Sequence, residues 1–356
     1  MRRAALMFGF GSASLAIGAL CGCSWKELVS PRSTSVANDV ALNRALLVSS
    51  LTDGDQPFHL ILDIAPAPRS NSSTPGESEM YAQIEVFWLN RVTYRTVIRS
   101  KAFSQTRIVN GRVVEEHDIG NFYPRWIQNF VDALFEPVPK KSILLNIPGS
   151  VPIGPTSNAC FVTQSSNGPE ATPDAPQSPD ERSLASVCFR DREPRIASGR
   201  DYTRYVAFDD FAAFGQQQIP RTLINVLPAN LQLWGRVTYL EPLRQSDYPL
   251  LKAKEFTLPA KQILTTLVSQ NIAASLLETP LAHLPVSPAR RFPGPAIPTT
   301  IYIRTDHTGK VREAYRNATD QFHQQDALIS RALTLKFKPL VIKGVPQQME
   351  APFALP

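Results

Sequence analysis

Two stretches of alternating apolar and polar residues constrain the fold of this chain more than any other feature. The first runs from Gln83 to Trp88 and the second from Val92 to Arg99. Because successive side chains of a strand point to opposite faces, the alternation predicts half-buried antiparallel strands. Asn110-Gly111 lies between two further runs of this kind and predicts a two-residue hairpin, since a type I′ turn needs two positive φ angles.

The neighbouring sequence predicts further strands and a few helices. Residues 40–51 and 124–135 have helical patterns, and the second carries an apolar face. Strands are predicted at residues 202–208, 221–226 and 231–240. The fold class is therefore α+β, beginning with a mainly antiparallel β domain over residues 40–260.

Two phrases in this domain resemble the LolA-like lipoprotein-carrier superfamily. WLNRVTYR at residues 88–95 leads to the Asn110-Gly111 hairpin, and residues 205–214 are followed by IPRTLI at 219–224. The resemblance implies a half-barrel that shelters acyl chains or another apolar ligand. The alternative is a filled β-sandwich core, because aromatic side chains serve packing as readily as binding. The aromatic residues concerned are Trp88, Phe103, Trp126 and Phe208.

A proline-rich segment marks the clearest domain boundary. Six prolines fall between residues 280 and 298 and favour an extended, semi-rigid linker. The preceding residues, 261–279, predict one more helix from their apolar spacing. The linker separates the β-rich domain from a terminal unit over residues 299–356.

The terminal unit is predicted to contain two strands, a helix and a last strand, in the order ββαβ. Ile301 and Ile303 alternate with polar neighbours, and Gly309 is suited to the left-handed position of a tight turn. A helix is predicted to end near Leu335, with Phe337 entering the core.

The phrases DHTGKV, AL, FKP and GVP in this unit resemble the TonB C-terminal domain family. In that family a sheet edge adds a short strand from an outer-membrane receptor, so the resemblance implies a protein partner such as an outer-membrane transporter. The last strand would then be the pairing surface. It comprises Gln347, Gln348, Met349, Glu350, Ala351, Pro352 and Phe353.

The first 23 residues read as a bacterial secretory signal with a lipobox. Arg2 and Arg3 precede an apolar run that is short and glycine-rich for a membrane span. Leu20-Cys21-Gly22-Cys23 follows, and Cys23 is the better lipid acceptor because the small Gly22 precedes it. Simple cleavage and an uncleaved anchor are the alternatives. Residues 24–39 form a polar tether, and the outer membrane is the favoured location.

A cleaved anchor conflicts with direct energy transduction. A transducer of the TonB type needs an uncleaved inner-membrane helix, and Pro352 removes one backbone donor from the expected pairing strand. A recognition module with the same fold is the expectation.

Two cysteines remain beyond the signal, Cys160 and Cys188, each within a strand-like phrase. The polar, proline-containing insertion at residues 163–186 lies between them. A disulfide at its base is predicted, and loop-closure entropy gives it roughly 3 to 4 kcal/mol of stabilisation. A zinc pair is the alternative, without a CxxC motif or a nearby histidine to support it.

The composition excludes few functions, and the absence of common sequence motifs makes several others unexpected. The formal charge is +6, but no run of five basic residues occurs, so nucleic acid is not an expected partner. The five histidines are dispersed and no common catalytic motif is present. We expect no catalytic residue, no metal and no cofactor.

Two functional hypotheses remain. The first is an envelope lipoprotein that binds a protein partner through its terminal unit. The second is a periplasmic lipid or lipoprotein carrier whose apolar ligand sits in the β domain, with the terminal unit as a docking handle. A large cavity would favour the second, and a filled core with an open terminal strand would favour the first.

Overall fold

The computed structural model describes residues 36–67, 81–137, 142–145, 158–165, 185–190, 195–200, 205–227, 232–252, 262–278, 299–316 and 325–355. Residues 34–356 form one compact unit. No helix in the described ranges is both long enough and apolar enough to cross a bilayer.

A twelve-stranded antiparallel sheet forms most of this unit. Its strands are β1 (Phe58–Pro66), β2 (Ala82–Asn90), β3 (Thr93–Ser100), β4 (Phe103–Asn110), β5 (Val113–Gly120), β6 (Ser142–Leu145), β7 (Asn158–Ser165), β8 (Ala185–Arg190), β9 (Ile196–Arg200), β10 (Tyr205–Phe214), β11 (Gln217–Val226) and β12 (Gln232–Pro242). In space they follow the order β5-β4-β3-β2-β1-β12-β11-β10-β9-β8-β7-β6. Two meanders, β1–β5 and β6–β12, are thus joined by the pairing of β1 with β12. The predicted mainly antiparallel β fold with a few helices is confirmed.

The sheet curves around helix α2 (Arg125–Phe135). Phe135 of α2 packs on Trp88 of β2 and Tyr94 of β3, and the same helix contacts β10 and β11. From β3 to β10 there are five strand spacings, about 24 Å in a flat sheet, whereas a helix is about 10–12 Å wide. A single helix can therefore contact both β3 and β10 only if the sheet is curved. We call the curved sheet the cup and α2 its plug.

A second helix, α1 (Val36–Ser49), also packs on the buried face of the cup, against β9 and β11. It continues into a short 3₁₀ turn, Leu51–Asp53. The helix expected to begin at residue 40 begins at Val36 instead. The predicted tether over residues 24–39 therefore overlaps the first four residues of α1. No proline or glycine interrupts residues 36–49.

Asn110-Gly111 does form a hairpin, but with a different turn from the one predicted. Asn110 pairs with Val113, so the two central residues are Gly111 and Arg112. Gly111 has a φ of +63°, and Arg112 is not in the positive-φ region. Glycine in the first central position is typical of a type II′ turn, not of type I′.

A five-stranded sheet lies in the terminal part of the chain. Its elements are β13 (Thr265–Leu267), α3 (Gln270–Leu276), β14 (Thr299–Thr305), β15 (Val311–Arg316), α4 (Gln325–Leu333), β16 (Leu340–Ile342) and β17 (Val345–Leu355). Strands β14, β15 and β17 and helix α4 follow the predicted order. We call residues 262–278 and 299–355 the C-terminal unit.

The helix expected over residues 261–279 is wrong in its first half. Thr265 to Leu267 form β13, which pairs in parallel with β17, and only α3 is helical. Adjacent β-branched Thr265 and Thr266 favour extended backbone. Ser269 then caps α3, its hydroxyl accepting a hydrogen bond from the Ile272 N–H. The expected linker, residues 280–298, lies outside the described residues.

Candidate functional site

Of the two predicted covalent sites, the structure describes the disulfide position but not the lipid attachment site. Cys23 is outside the described residues. Cys188 is disulfide-bonded, and the register of β7 and β8 places Cys160 directly opposite it. The predicted bridge fits this register. The insertion is shorter than expected, because β7 extends to Ser165 and β8 begins at Ala185.

The predicted partner strand lies inside the C-terminal sheet. Residues 347–351 are all buried, as is Phe353. Glu350 pairs with Arg304 of β14 on one side and with Leu267 of β13 on the other. An open pairing edge at residues 348–350 is therefore contradicted, because the short parallel strand β13 already occupies it.

The turn before β15 is held by Asp306. Its Oδ1 accepts hydrogen bonds from the Thr308 N–H at 2.9 Å, the Thr308 hydroxyl at 2.6 Å and the Lys310 N–H at 3.2 Å. This is the turn role that the sequence indicates for an aspartate in that position. Among the described residues, no cluster of three His, Cys, Asp or Glu side chains is arranged to hold a metal ion.

The described part of the cup is filled with side chains, and a small cleft lies along its plug. The cleft has a volume of about 20 Å³, which is roughly the space of one water molecule and far less than that of an acyl chain. Its walls come from the end of α1, the end of α2 and strands β9–β11. They include Leu51, Ala133, Leu134, Ile196, Phe208 and Leu223.

A buried pair of amides lies beside this cleft. The Asn129 Nδ2 of α2 is 3.4 Å from the Asn225 Oδ1 of β11, and both residues are almost fully buried. Asn129 Oδ1 and Asn225 Nδ2 have no hydrogen-bond partner among the side chains and backbone that the structure describes. Ala133 is one helical turn beyond Asn129, and Leu223 is two residues before Asn225 on the same strand face, so the pair adjoins the cleft.

A second polar site joins the C-terminal unit to the residues at the start of α2. The Gln348 side chain bonds to both backbone groups of Tyr123: its Oε1 accepts from the Tyr123 N–H at 2.9 Å, and its Nε2 donates to the Tyr123 carbonyl at 3.2 Å. The Arg125 N–H donates to both carboxylate oxygens of Glu313, at 2.9 and 3.1 Å. His307 Nδ1 lies 3.1 Å from the Asn121 carbonyl.

The centre of this junction is a fully buried arginine. Arg304 is 0% exposed; its Nε lies 3.3 Å from Glu350 Oε2, and its Nη2 donates to Gln128 Oε1 at 2.7 Å. The Tyr315 hydroxyl donates to the other Glu350 oxygen at 2.7 Å. The ion pair with Glu350 partly offsets the cost of burying this charge, while Arg304 Nη1 has no hydrogen-bond partner among the described residues.

Burial dominates the titration behaviour of the junction. It raises the pKa of Glu313 to about 7, although Arg304 and the Arg125 N–H oppose the shift and Glu350 adds to it. Burial also raises the pKa of Tyr315, with the negative charge of Glu350 as the next cause. The Tyr123 pKa is raised mainly by burial as well. Burial therefore favours the neutral form of all three side chains.

The sequence did not indicate Asn129, Asn225, Arg304 or Glu313. The burial of Asn129 could have been predicted, since it lies between Trp126 and Phe130 on the apolar side of a predicted helix. For Arg304 the signal was misleading: Ile301 and Ile303 face one core, so alternation assigns Arg304 to solvent. Its face is covered instead by residues 121–128, which are distant in sequence.

Comparisons with known proteins give no family. No family model matches the chain, and no curated protein matches it. Solved structures similar to it include a LolA-superfamily protein from Nitrosomonas europaea, with 7% identity, a TM-score of 0.37, and coverage of 61% of this chain and 97% of that one. A DUF1329-family protein from Desulfovibrio piger has 9% identity, a TM-score of 0.36, and coverage of 59% and 94%. At TM-scores below 0.5, these similarities do not define what this chain binds.

Proposed function

We propose that this chain is a non-catalytic cell-envelope lipoprotein that carries an apolar ligand, such as the acyl chain of a lipid or lipoprotein, within its β cup. One observation carries the proposal: an apolar cleft runs between the plug helix α2 and strands β9–β11, and a half-satisfied amide pair adjoins it. Apolar walls with few polar groups are typical of sites for small apolar ligands.

The amide pair gives a physical reason for the plug to move. A buried polar atom without a partner costs about 1–3 kcal/mol, and within the described residues the Asn129–Asn225 pair leaves two such atoms between α2 and β11. The interface that closes the cup is thus weaker than an apolar one of the same shape. Separation of α2 from β11 would widen the cleft and offer the amides to an ester or headgroup oxygen.

Photolabelling with diazirine-modified palmitate tests the ligand site. We expect labels on residues 133–137 and 219–223, with competition by unlabelled palmitate. The double variant Asn129→Leu/Asn225→Leu replaces both amides by apolar groups of similar shape. It should keep or raise Tm while lowering labelling several-fold.

Thr222→Leu is the matched control, since it adds one leucine on the opposite face of β11. Its labelling should equal that of the wild type. Labels spread over exposed apolar residues such as Val341 and Val345, or equal labelling of the double variant, would contradict the proposed site.

The lipid anchor at Cys23 is part of the proposal. We expect incorporation of labelled palmitate into the whole chain in a bacterial host, and its loss in Cys23→Ala. A mature chain that begins at any residue other than Cys23 would rule the anchor out.

A carrier also needs a protein that receives its ligand, and we assign docking to the C-terminal unit. The phrases that resemble the TonB C-terminal domain family support a recognition role. Because β13 occupies the edge at residues 348–350, the unit would bind through another surface or after β13 moves. Crosslinking with and without residues 299–356 tests this: identical partners from both chains would defeat it.

A further inference from the structure

Helix α2 begins without a cap of its own. Pro124 occupies the N-cap position and provides no side-chain hydrogen bond. The first N–H groups of a helix have no partner within the helix, and they are usually satisfied by Ser, Thr, Asp or Asn at that position. Here the Arg125 N–H is satisfied by Glu313, which is 188 residues away in the chain.

Glu313 does what an N-cap residue does, from another part of the molecule. Its two oxygens lie 2.9 and 3.1 Å from the Arg125 nitrogen. A side-chain oxygen at a helix N-terminus stabilises the helix by accepting from the free N–H groups, and the helix dipole favours a carboxylate there. The stability of α2 therefore depends on β15.

Two other strands of the C-terminal unit hold the same end of α2. Gln348 of β17 bonds to the N–H and the carbonyl of Tyr123, just before the helix. Arg304 of β14 donates to Gln128, in the first turn. Strands β14, β15 and β17 thus each contribute one side chain to residues 123–128. We call Arg304, Glu313 and Gln348 the latch.

The helix so held is the plug of the cup. Trp126, Ile127, Phe130 and Ala133 of α2 are buried against the sheet, and Ala133 lines the cleft. The buried face of α2 carries one amide, Asn129, that contacts Asn225, whereas the N-terminus of α2 is bound by charged and amide side chains of the C-terminal unit. Opening the cleft requires α2 to shift, and the latch is attached to the end of α2 opposite the cleft.

We propose that the C-terminal unit controls the opening of the cup, through a latch of Arg304, Glu313 and Gln348 that holds the N-terminus of α2. This inference rests on the proposed function for its purpose, but the latch itself is measurable without a ligand. A partner that binds the C-terminal unit and displaces any of the three side chains would release α2 and widen the cleft.

Hydrogen exchange of the full chain tests the latch. Glu313→Ala removes the cap, and we expect the amides of α2 to exchange faster by roughly 2- to 30-fold, the range that follows from the loss of an N-cap. Glu313→Gln keeps an oxygen that accepts from the Arg125 N–H and should restore exchange to within a few-fold of the wild type.

Glu278→Ala is the matched control. Glu278 pairs with Lys336 at 3.1 Å in the same C-terminal unit, away from the latch side chains. Exchange in α2 should not change in this variant. Equal acceleration in Glu278→Ala and Glu313→Ala, or no acceleration in Glu313→Ala, would overturn the latch. If Glu313→Ala does not fold, Gln128→Ala removes the contact with Arg304 and is read in the same way.

Palmitate photolabelling of the same variants separates this inference from the proposed function. Faster α2 exchange together with faster labelling of residues 133–137 supports both. Faster exchange without any labelling supports the latch and defeats the carrier. Labelling of the wild type with unchanged exchange and labelling in Glu313→Ala keeps the carrier and defeats the latch.

Discussion

At the scale of single residues, the close packing of the C-terminal unit depends on one glycine. Gly309 ends the turn held by Asp306 and has a φ of +84°. A Cβ built on it would lie 1.9 Å from the Phe337 carbonyl oxygen. Phe337 is fully buried and packs edge-on against Phe353. The glycine thus lets the β14–β15 turn contact the backbone that carries the central aromatic residue.

We predict that Gly309→Ala destabilises the chain more than Gly344→Ala does. Both glycines have a positive φ, near +80°, but an added Cβ at Gly344 meets nothing within 4 Å. In each variant the positive φ is unfavourable for alanine and lowers the free energy of unfolding by roughly 1 kcal/mol or more. Only Gly309→Ala adds a clash with main-chain atoms. Urea unfolding midpoints measure the difference. Equal midpoints would show that the Phe337 backbone moves away freely.

Glu313 predicts a pH dependence of stability. Its pKa is raised from an ordinary 4.5 to about 7, chiefly by burial. Between these values the folded chain binds a proton that the unfolded chain releases, so the free energy of unfolding contributed by Glu313 falls as pH rises from about 4.5 to about 7. The charged groups around it are Arg304 of β14, Glu350 of β17 and Arg125 of α2.

Glu313→Gln should remove this part of the pH dependence. The test compares urea midpoints of the wild type and the variant at pH 5 and pH 8. We expect the wild type to lose more stability between the two values than the variant does. Other acids with raised pKa, such as Glu116, contribute equally to both proteins. Parallel losses would mean that Glu313 does not titrate in this range.

At the scale of elements, docking of α2 on the sheet depends on Gly235 of β12. A Cβ at that position would lie 2.8 Å from the Phe130 ring and 3.2 Å from Leu62. The missing side chain lets the fully buried Phe130 approach the strand. The helix is therefore fitted to the sheet by a small residue facing a large one.

We predict that Gly235→Ala costs about 1–3 kcal/mol through overpacking, and that Phe130→Leu relieves part of it. In a double-mutant cycle, Phe130→Leu should be less destabilising in the Gly235→Ala background than in the wild type. Calorimetric or urea measurements on the four proteins give the coupling. A coupling of zero would place the clash elsewhere than on the Phe130 ring.

The elements that the sequence predicts well are those whose contacts are local. Strands β2 to β5 and helix α2 follow from alternation, turn residues and helical spacing, because their neighbours in space are their neighbours in the chain. Strand β13 could not be predicted, because it has only three residues and is defined by its pairing with β17, some eighty residues later in the chain. The same applies to the site: Asn225 and Glu313 have ordinary surroundings in the sequence, and only the fold brings them to Asn129 and Arg125.

At the scale of the whole molecule, two sheets share one helix end. The cup buries the apolar face of α2, while the C-terminal unit binds its N-terminus through Glu313, Gln348 and Arg304. The contacts at this junction are polar and buried, unlike those inside either core. Such contacts specify one geometry because a displaced partner leaves an unpaired group behind.

The disulfide of Cys188 is predicted to stabilise strands β6–β9 at one end of the cup. If Cys160 is its partner, as the register implies, loop closure gives roughly 3–4 kcal/mol. A reducing agent should lower Tm in the wild type and leave Cys160→Ser/Cys188→Ser unchanged. A wild-type Tm that does not respond to complete reduction, verified by thiol titration, would contradict this contribution.

The residues that hold the N-terminus of α2 are synthesised much later than the helix itself. Arg125 and Glu313 are 188 residues apart, and Tyr123 and Gln348 are 225 apart. A chain that emerges with its N-terminus first can pair β1–β5 and form α2 long before either contact exists. The N-terminus of α2 then lacks both contacts until residues 313 and 348 have emerged. Premature termination or trimming of the C-terminal end would therefore loosen a helix more than 200 residues earlier in the chain, and the cup would open more readily.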